Sequence, residues 1–190
     1  MQFSKSSLRN KAILERKKKY LTVKKDFDYK IIFKLIKKSF IGKQIVIAGY
    51  YPSNYEVDIV RFLKQAYEKN FKIALPVINS SSKMSFKSWE FKEPLYVSKF
   101  GTLEPNKSNK EVFPDLILVP LVVFDNYLNR IGYGKGYYDR SLKKIKKIKK
   151  KTISLGIAYS FQKFNKIPVN KHDVKLDYIL TERGIISSHQ

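Results

Sequence analysis

Apolar residues recur every three or four positions in several parts of the chain, which is the spacing of amphipathic helices. In the first of these parts, Leu8, Ala12 and Tyr20 can share one side of a helix, and Ile13 and Leu14 widen that side. Helices are predicted for residues 4–20, 27–41, 56–70 and 141–150. Lysines fill many of the remaining positions, so one face of each helix is expected to meet solvent.

Short apolar runs bounded by turn residues separate the helices and predict strands. The predicted strands are residues 44–52, 72–77, 84–91, 115–124, 152–159 and 177–181. The run 115–124 is the most apolar and is expected at the centre of a sheet, 84–91 is expected to be more exposed, and 98–114 is expected to be a loop. Strands that alternate with helices predict an α/β fold around a mainly parallel sheet. No repeat or linker divides residues 1–190, so a single domain is expected.

The composition excludes several kinds of chemistry. The chain has no cysteine and two histidines, which excludes disulfides, thiolate metal sites and a cysteine nucleophile and disfavours a histidine-rich metal centre. No apolar run reaches the ~18 residues that a membrane helix needs. The first twenty residues are charged and lack the apolar core of a signal peptide. A soluble cytoplasmic protein is therefore expected, without a membrane partner.

The net charge of +23 has three interpretations. Clustered lysines and arginines could neutralise nucleic-acid phosphates, a positive field could attract a small anionic substrate, or the lysines could simply cover the surface. The run KKIKKIKKK at 143–151 resembles a nucleic-acid patch, but it also fits a solvated helix face with an apolar stripe at Leu142, Ile145 and Ile148. We favour that helix face. A more specific hypothesis is that the run attracts the polyglutamate tail of a cellular folate.

The stretch RIGYGKGYYDR at 130–140 places three glycines, Gly132, Gly134 and Gly136, between the most apolar strand and a helix. In open α/β sheets, ligands bind in the loops at the carboxyl ends of strands. The spacing G-x-G-x-G matches neither the Rossmann fingerprint nor the P-loop. Bare glycines nevertheless let backbone N–H groups approach phosphate oxygens.

The side chains of this stretch suit a nucleoside triphosphate. Arg130 can offer a two-pronged hydrogen bond and Lys135 a point charge. The three tyrosines could stack on flat rings, and Asp139 could hold Mg²⁺ beside phosphate oxygens. The alternative from spacing alone is a structural turn whose tyrosines pack against the sheet.

Residues 119–142 (VPLVVFDNYLNRIGYGKGYYDRSL) resemble the signature of the 5-formyltetrahydrofolate cyclo-ligases, also called 5,10-methenyltetrahydrofolate synthetases. Further motifs of that family are matched in order along the chain. They are KSSLR (5–9), YYPSNYEVD (50–58), FGTLEP (100–105) and PVNKHDVKLDYILT (168–181). One departure is Leu121, where the family commonly has glycine. The resemblance implies a three-layer α/β/α sandwich and a folate substrate. A monomer and a polyglutamylated form of the substrate are further expectations.

The resemblance also implies three groups of site residues. ATP would be bound by Lys5, Arg9, Arg130, Ile131, Gly132, Tyr133, Gly134, Lys135, Gly136, Tyr137 and Tyr138. The folate would be bound by Tyr51, Glu56, Phe100, Tyr133, Gly134, Lys135, Gly136 and Tyr137. Magnesium would be bound by Asp139 and Asp173, and the catalytic residues would be Arg130, Lys135 and Tyr137.

The implied reaction uses MgATP to convert 5-formyltetrahydrofolate into 5,10-methenyltetrahydrofolate. The γ-phosphoryl group would activate the formyl oxygen, and folate N10 would then attack the carbon, which needs positioning and charge neutralisation but no protein nucleophile. Without the resemblance, Lys5 and Arg9 could be two charges on a solvated helix face, and Glu56 could be a helix N-terminal acid. The rival functions are a nucleic-acid-binding protein without enzymatic activity and a related enzyme acting on a sugar phosphate.

Overall fold

The computed structural model describes residues 4–23, 26–79 and 83–187. Its helices are α1 (Lys5–Lys19), α2 (Lys30–Ser39), α3 (Val60–Glu68) and α4 (Tyr137–Ile148). Its strands are β1 (Val46–Ala48), β2 (Lys72–Ile78), β3 (Met84–Ser88), β4 (Tyr96–Val97), β5 (Leu103–Glu104), β6 (Glu111–Val112), β7 (Leu116–Pro120), β8 (Val123–Asp125), β9 (Arg130–Ile131), β10 (Ile153–Ile157), β11 (Lys163–Phe164), β12 (Tyr178–Thr181) and β13 (Gly184–Ser187).

An eight-stranded sheet in the order β13-β12-β10-β7-β1-β2-β3-β6 forms the middle of the molecule. The five strands from β12 to β2 run parallel, whereas β13, β3 and β6 pair antiparallel with their neighbours at the two edges. Parallel neighbours need crossover connections, and α3 between β1 and β2 and α4 between β7 and β10 provide helical ones, so helices cover the faces of this sheet. The predicted α/β class and mainly parallel sheet are confirmed.

The two faces of the sheet are buried by different helices. Along β7, Leu116 and Leu118 belong to the cluster that α2 and α3 cover, whereas Ile117 and Val119 belong to the cluster that α4 covers. This alternation is the period of two expected of a strand buried on both faces. The molecule is thus a three-layer α/β/α sandwich, as predicted.

Helix α1 packs outside these layers, on a small sheet in the order β11-β8-β9. Leu8 and Ala12 of α1 contact Val122, Val123 and Ile131 there. The predicted single strand 115–124 is therefore wrong in detail, because the chain leaves the main sheet after Pro120 and starts β8 at Val123. After this break the chain passes through β8 and β9 to the glycine stretch, which contacts Arg9 of α1.

Several other boundaries also differ from the predictions. Helix α4 begins at Tyr137 instead of residue 141, directly after Gly136, whose φ of 67° is in the left-handed region. The strand predicted as exposed is β3, in which Phe86 is buried, and Trp89 just beyond it is buried too. In the part of the chain that the structure describes, no helix is long and apolar enough to cross a membrane.

The lysine-rich run 143–151 forms the outer side of α4 and the turn after it. Leu142 and Ile145 are buried as predicted, but Ile148 is 56% exposed, so the apolar stripe is shorter than predicted. Lys146 and Lys149 are paired with Asp177 and Asp115 at 2.7 Å. The other lysines of the run, Lys143, Lys144, Lys147, Lys150 and Lys151, are exposed, so the run has the character of a solvated helix face.

Candidate active site

A cavity of about 570 Å³ lies beyond the carboxyl ends of β1, β2 and β7. The residues that follow or end these strands, such as Tyr51, Ile78 and Pro120, form part of its wall. Every site residue predicted from the sequence lines this one cavity, including both aspartates, the glycine stretch, Lys5 and Arg9. Its place at the strand ends is where α/β sheets generally bind ligands.

The glycine stretch forms the loop between β9 and α4. Gly134 and Gly136 have φ values of 94° and 67°, a conformation that other residues adopt only with strain. A Cβ added at Gly134 would lie 3.2 Å from the guanidinium carbon of Arg9. Glycine at this position therefore lets the loop approach the side chain of Arg9 closely.

Helix α1 contributes two cations to the cavity wall. Its Ser4 cap accepts a hydrogen bond from Ser7 N at 3.1 Å, which fixes the start of the helix close to Lys5. Lys5 forms an ion pair with Asp173, and Arg9 Nε donates to the carbonyl of Gly132 at 2.7 Å. The interpretation of Lys5 and Arg9 as merely two solvated charges is therefore wrong.

Arg130 places a third cation at the floor of the cavity. Its side chain is 4% exposed, and its Nη2 donates to Asp139 Oδ1 at 2.9 Å. Burial lowers the pKa of Arg130, and the carboxylates of Asp139 and Asp173 act in the opposite direction. Arg130 Nε and the Tyr138 hydroxyl are buried in the cavity wall without a hydrogen-bond partner among the residues that the structure describes. Unpartnered buried groups of this kind are expected where a ligand supplies the missing partner.

The opposite wall holds Glu56, which is 7% exposed. Its Oε2 accepts hydrogen bonds from Ser53 N at 2.9 Å and from Ser53 Oγ at 3.3 Å. Burial raises the pKa of Glu56, while Ser53, Arg16 and Tyr133 offset part of that rise. The prediction that Glu56 opens a helix is wrong, because α3 begins only at Val60. Glu56 instead belongs to the turn that follows Tyr51 on the cavity wall.

Phe100 stands on the turn between β4 and β5. Its ring lies 6.2 Å from the ring of Tyr137 in an edge-on arrangement, and Phe100 is 43% exposed. In an edge-on pair the edge of one ring meets a face of the other, and a cation also lies near each ring, Lys99 Nζ at 5.5 Å from the Phe100 centroid and Arg140 Cζ at 5.4 Å from the Tyr137 centroid. The structure therefore brings Phe100 to the same cavity as the glycine loop, although the two are far apart in sequence.

Three other residues at the site were missed from the sequence. Arg16 of α1 is 1% exposed and donates to the Tyr133 hydroxyl. Glu104 is buried in the cavity wall and accepts from Ile78 N at 3.3 Å, and burial raises its pKa. Asn170 lines the cavity beside Asp173. The spacing Leu8, Ala12, Arg16 was a usable signal, because it places a cation in the apolar stripe of α1.

Asp139 and Asp173 are the candidate magnesium ligands, and both line the cavity. Each is also paired with a cation, Arg130 and Lys5 respectively. Within the described ranges, no cluster of three or more acidic, histidine or cysteine side chains could hold a metal. Mg²⁺ commonly uses one or two carboxylates, waters and substrate phosphates. These two aspartates fit an ion that arrives with a nucleotide, and they do not form a complete cage by themselves.

The layered sheet and its cation-lined cavity define the class of protein: an α/β enzyme whose site lies at the carboxyl ends of parallel strands. The sequence model of the 5-formyltetrahydrofolate cyclo-ligase family matches residues 1–182. The chain belongs to the 5-formyltetrahydrofolate cyclo-ligase family, which confirms the resemblance seen in its motifs.

Curated relatives extend over most of the chain. The 5-formyltetrahydrofolate cyclo-ligase of Mycoplasma pneumoniae is 35% identical over 185 residues, which is 94% of this chain and 98% of the relative. The 5-formyltetrahydrofolate cyclo-ligase of Haemophilus influenzae is 31% identical over 140 residues, which is 70% of this chain and 74% of the relative. The family is thus shared by relatives that cover most of the folded chain.

Solved structures give the same result for the fold. The 5,10-methenyltetrahydrofolate synthetase of Aquifex aeolicus superposes with a TM-score of 0.75 at 30% identity, covering 98% of this chain and 93% of the other. The 5,10-methenyltetrahydrofolate synthetase of Mycoplasma pneumoniae has a TM-score of 0.69 at 26% identity, covering 95% and 99%.

Proposed function

We propose that this protein converts 5-formyltetrahydrofolate into 5,10-methenyltetrahydrofolate with ATP as co-substrate, releasing ADP and phosphate. One observation carries the proposal. A single cavity joins a cation-rich wall, suited to a triphosphate, to a wall formed by Tyr51, Glu56 and Phe100, suited to a folate. The enzymes named among its relatives and structural neighbours are those of this reaction.

The nucleotide side of the site would be formed by α1 and the glycine loop. Lys5 and Arg9 project into the cavity from one helix face, and Arg130 and Lys135 from β9 and the loop. Phosphoryl transfer is accelerated mainly by positioning and by neutralising the charge on the phosphate oxygens. We therefore assign these four cations, with the backbone from Ile131 to Tyr138, to the ATP phosphates.

The folate side would be formed by the turn after β1 and the turn before β5. The buried Glu56 carboxylate can accept hydrogen bonds from the N–H groups of a pterin ring, with Tyr51 beside it. The rings of Phe100 and Tyr137 can contact a flat ring system. This arrangement would place the formyl group between Glu56 and the glycine loop.

The proposed reaction has two chemical steps. The formyl oxygen attacks the γ-phosphorus of ATP, the bond from that phosphorus to the bridging oxygen breaks, and ADP leaves. Folate N10 then attacks the activated formyl carbon and loses its proton, and the C–O bond breaks to release phosphate. Arg130 and Lys135 would stabilise the charge on the transferred group, and Tyr137 would hold the two substrates in register.

A magnesium ion, when bound with ATP, would neutralise phosphate charge. Asp139 and Asp173 are the residues that would hold it, and each would then share its carboxylate with a cation on the cavity wall. A monomeric state, acceptance of polyglutamylated folates and a cytoplasmic location stay predictions.

The test follows the near-ultraviolet absorption band of methenyl-folate after the protein is mixed with 5-formyltetrahydrofolate and MgATP. We expect the band to rise only when protein, ATP and magnesium are all present. Omitting each component in turn gives the controls, and a known cyclo-ligase shows that the reagents work. A folded protein that gives no rise in this assay would refute the proposed function.

A further inference from the structure

Arg16 occupies an unusual place for a charged residue. It lies two turns beyond Arg9 on α1, in line with the buried Leu8 and Ala12, and is 1% exposed. Arginine is rarely buried to this degree without a charged partner, because removing its charge from water is costly. The hydrogen bonds of the Arg16 guanidinium therefore indicate which part of the structure the buried charge stabilises.

The guanidinium of Arg16 contacts the glycine loop from behind. Its Nη1 donates to the Leu121 carbonyl at 3.3 Å, and its Nη2 donates to the Tyr133 hydroxyl. Its Cζ lies 5.6 Å from the centroid of the Tyr133 ring, and its Nε has no hydrogen-bond partner in the described part of the chain. Arg16 does not line the cavity itself, so it acts on a ligand through Tyr133 and through its charge on Glu56.

Tyr133 connects Arg16 to Glu56. Its hydroxyl accepts from Arg16, Tyr133 and Glu56 both line the cavity, and the Tyr133 hydroxyl acts to lower the pKa of the Glu56 carboxylate. The titratable groups that face Glu56 are Arg16 from α1, Tyr133 from the glycine loop, Tyr50 from the turn after β1, and Tyr138 from α4. Arg16 is the cation in this group, and the three tyrosines are neutral near pH 7.

We infer that Arg16 is a positioning residue for the proposed reaction: it fixes the Tyr133 hydroxyl, and with it the cavity wall shared with Glu56, for the folate. The inference rests on the proposed function, which assigns Glu56 to the folate. The same contact ties the glycine loop to α1 at Tyr133, one residue from the point where Arg9 holds the carbonyl of Gly132.

The pH dependence of folate turnover should follow the pKa of Glu56. Burial raises the pKa of Glu56, and the charge of Arg16 opposes that rise. Protonation removes the carboxylate's ability to accept two N–H groups, so folate turnover falls as pH drops through this pKa. Without the charge of Arg16, the pKa of Glu56 rises further, and the acid limb of the pH profile moves to higher pH.

The test compares Arg16→Met, Arg16→Lys and Tyr133→Phe, with Arg183→Met as the matched control because the Arg183 side chain is 82% exposed. We expect Arg16→Met to raise KM for 5-formyltetrahydrofolate about tenfold or more, since hydrogen bonds that involve charged groups are lost. KM for ATP should change much less. The acid limb of kcat/KM for the folate should move to higher pH in Arg16→Met. In Arg16→Lys the acid limb should return to its wild-type position, whereas KM for the folate should return only part of the way to the wild-type value.

The double variant Arg16→Met with Tyr133→Phe tests the route of the effect. If Arg16 acts through the Tyr133 hydroxyl, the folate KM of the double variant should not exceed that of Arg16→Met by more than about twofold. Fully additive losses would overturn the inference, as would a wild-type acid limb in a folded Arg16→Met. If Arg16→Met does not fold, the folate KM values of Arg16→Lys, Tyr133→Phe and their double variant are compared instead, and fully additive losses would again overturn the inference. A wild-type protein without ATP-dependent turnover would refute the proposed function, whereas an active wild type with unaffected variants would refute only this inference.

Discussion

Asp139 has two assignments that an Asp139→Asn variant can separate. The family resemblance implies a magnesium ligand, whereas the geometry shows a counter-ion for Arg130. Asp139 Oδ1 accepts from Arg130 Nη2 at 2.9 Å and from Val174 N at 3.1 Å. Asparagine keeps an acceptor oxygen for both donors and removes the negative charge, so the variant changes electrostatics with little change in shape.

The expected loss of stability follows from the burial of the pair. The side chains are 4% and 21% exposed, so solvent screens the interaction only in part. In the variant Arg130 stays charged but loses its counter-ion, and the bond from Val174 N becomes neutral, worth about 0.5–1.5 instead of about 1.5–3 kcal/mol, so the variant should lose about 1–2 kcal/mol. For a domain of 190 residues, this corresponds to a fall of about 2–8 °C in Tm.

Thermal unfolding at increasing ATP concentration, with and without magnesium, measures the second role. If Asp139 also holds the metal, the apparent affinity for magnesium in the presence of ATP should fall about tenfold or more. Binding of ATP without magnesium should not weaken, because Arg130 loses its competing carboxylate and keeps its charge for the phosphates.

Asp177→Asn is the matched control. Like Asp139, Asp177 forms an ion pair with a cation, here Lys146 at 2.7 Å, but Asp177 lies outside the cavity. Its variant should lose stability without any change in ATP or magnesium binding. If Asp139→Asn lost stability but kept wild-type magnesium affinity, the assignment of Asp139 as a metal ligand would be refuted and only its role as a counter-ion would stand. Unchanged stability would refute the energetic argument itself.

Three further predictions concern the loop, the sheet and the folate wall. Lys135→Ala should lower turnover about tenfold or more without a change in Tm, because the side chain is exposed and packs against no core; the exposed Lys166→Ala is the control. Gly156→Ala should lower the free energy of unfolding by about 1–3 kcal/mol in denaturant titrations, since its Cβ would lie 2.6 Å from Leu176 and 2.8 Å from Leu121. Glu56→Gln should be more stable than wild type at neutral pH but not below pH ~4, because the raised pKa of buried Glu56 makes its ionised form costly; Tm across pH measures the difference.

The sheet and the cavity could be predicted because they depend on local patterns. The run LILVP at Leu116–Pro120 is apolar at every position, as a strand covered on both faces must be. Lys5 and Arg9 are four residues apart, so helix geometry alone places them on one face. The glycine loop follows the most apolar run of the sequence, and ligand loops of α/β sheets lie at such strand ends.

Other features depend on contacts that no local pattern carries. The break after Pro120 is fixed by Gln162, whose Nε2 donates to the carbonyls of Leu121 and Val122 at 3.0 Å and 2.8 Å. Gln162 is distant in sequence, so apolar character alone predicted one continuous strand. Leu121 in place of the family's usual glycine is accommodated because it packs beside Gly156, which has no side chain of its own.

The cations on one face of α1 show how the fold keeps a positive site stable without a ligand. Lys5 is paired with the Asp173 carboxylate, Arg9 with the Gly132 carbonyl, and Arg16 with the Tyr133 hydroxyl. Only the first of these partners is charged, so only Lys5 must give up an ion pair when an anion binds. If Asp173 takes part in holding magnesium, as we propose, a nucleotide that arrives with its metal supplies a new partner for both members of this pair. We therefore expect the exchange of partners between Lys5 and Asp173 to couple nucleotide binding to metal binding at this end of the cavity.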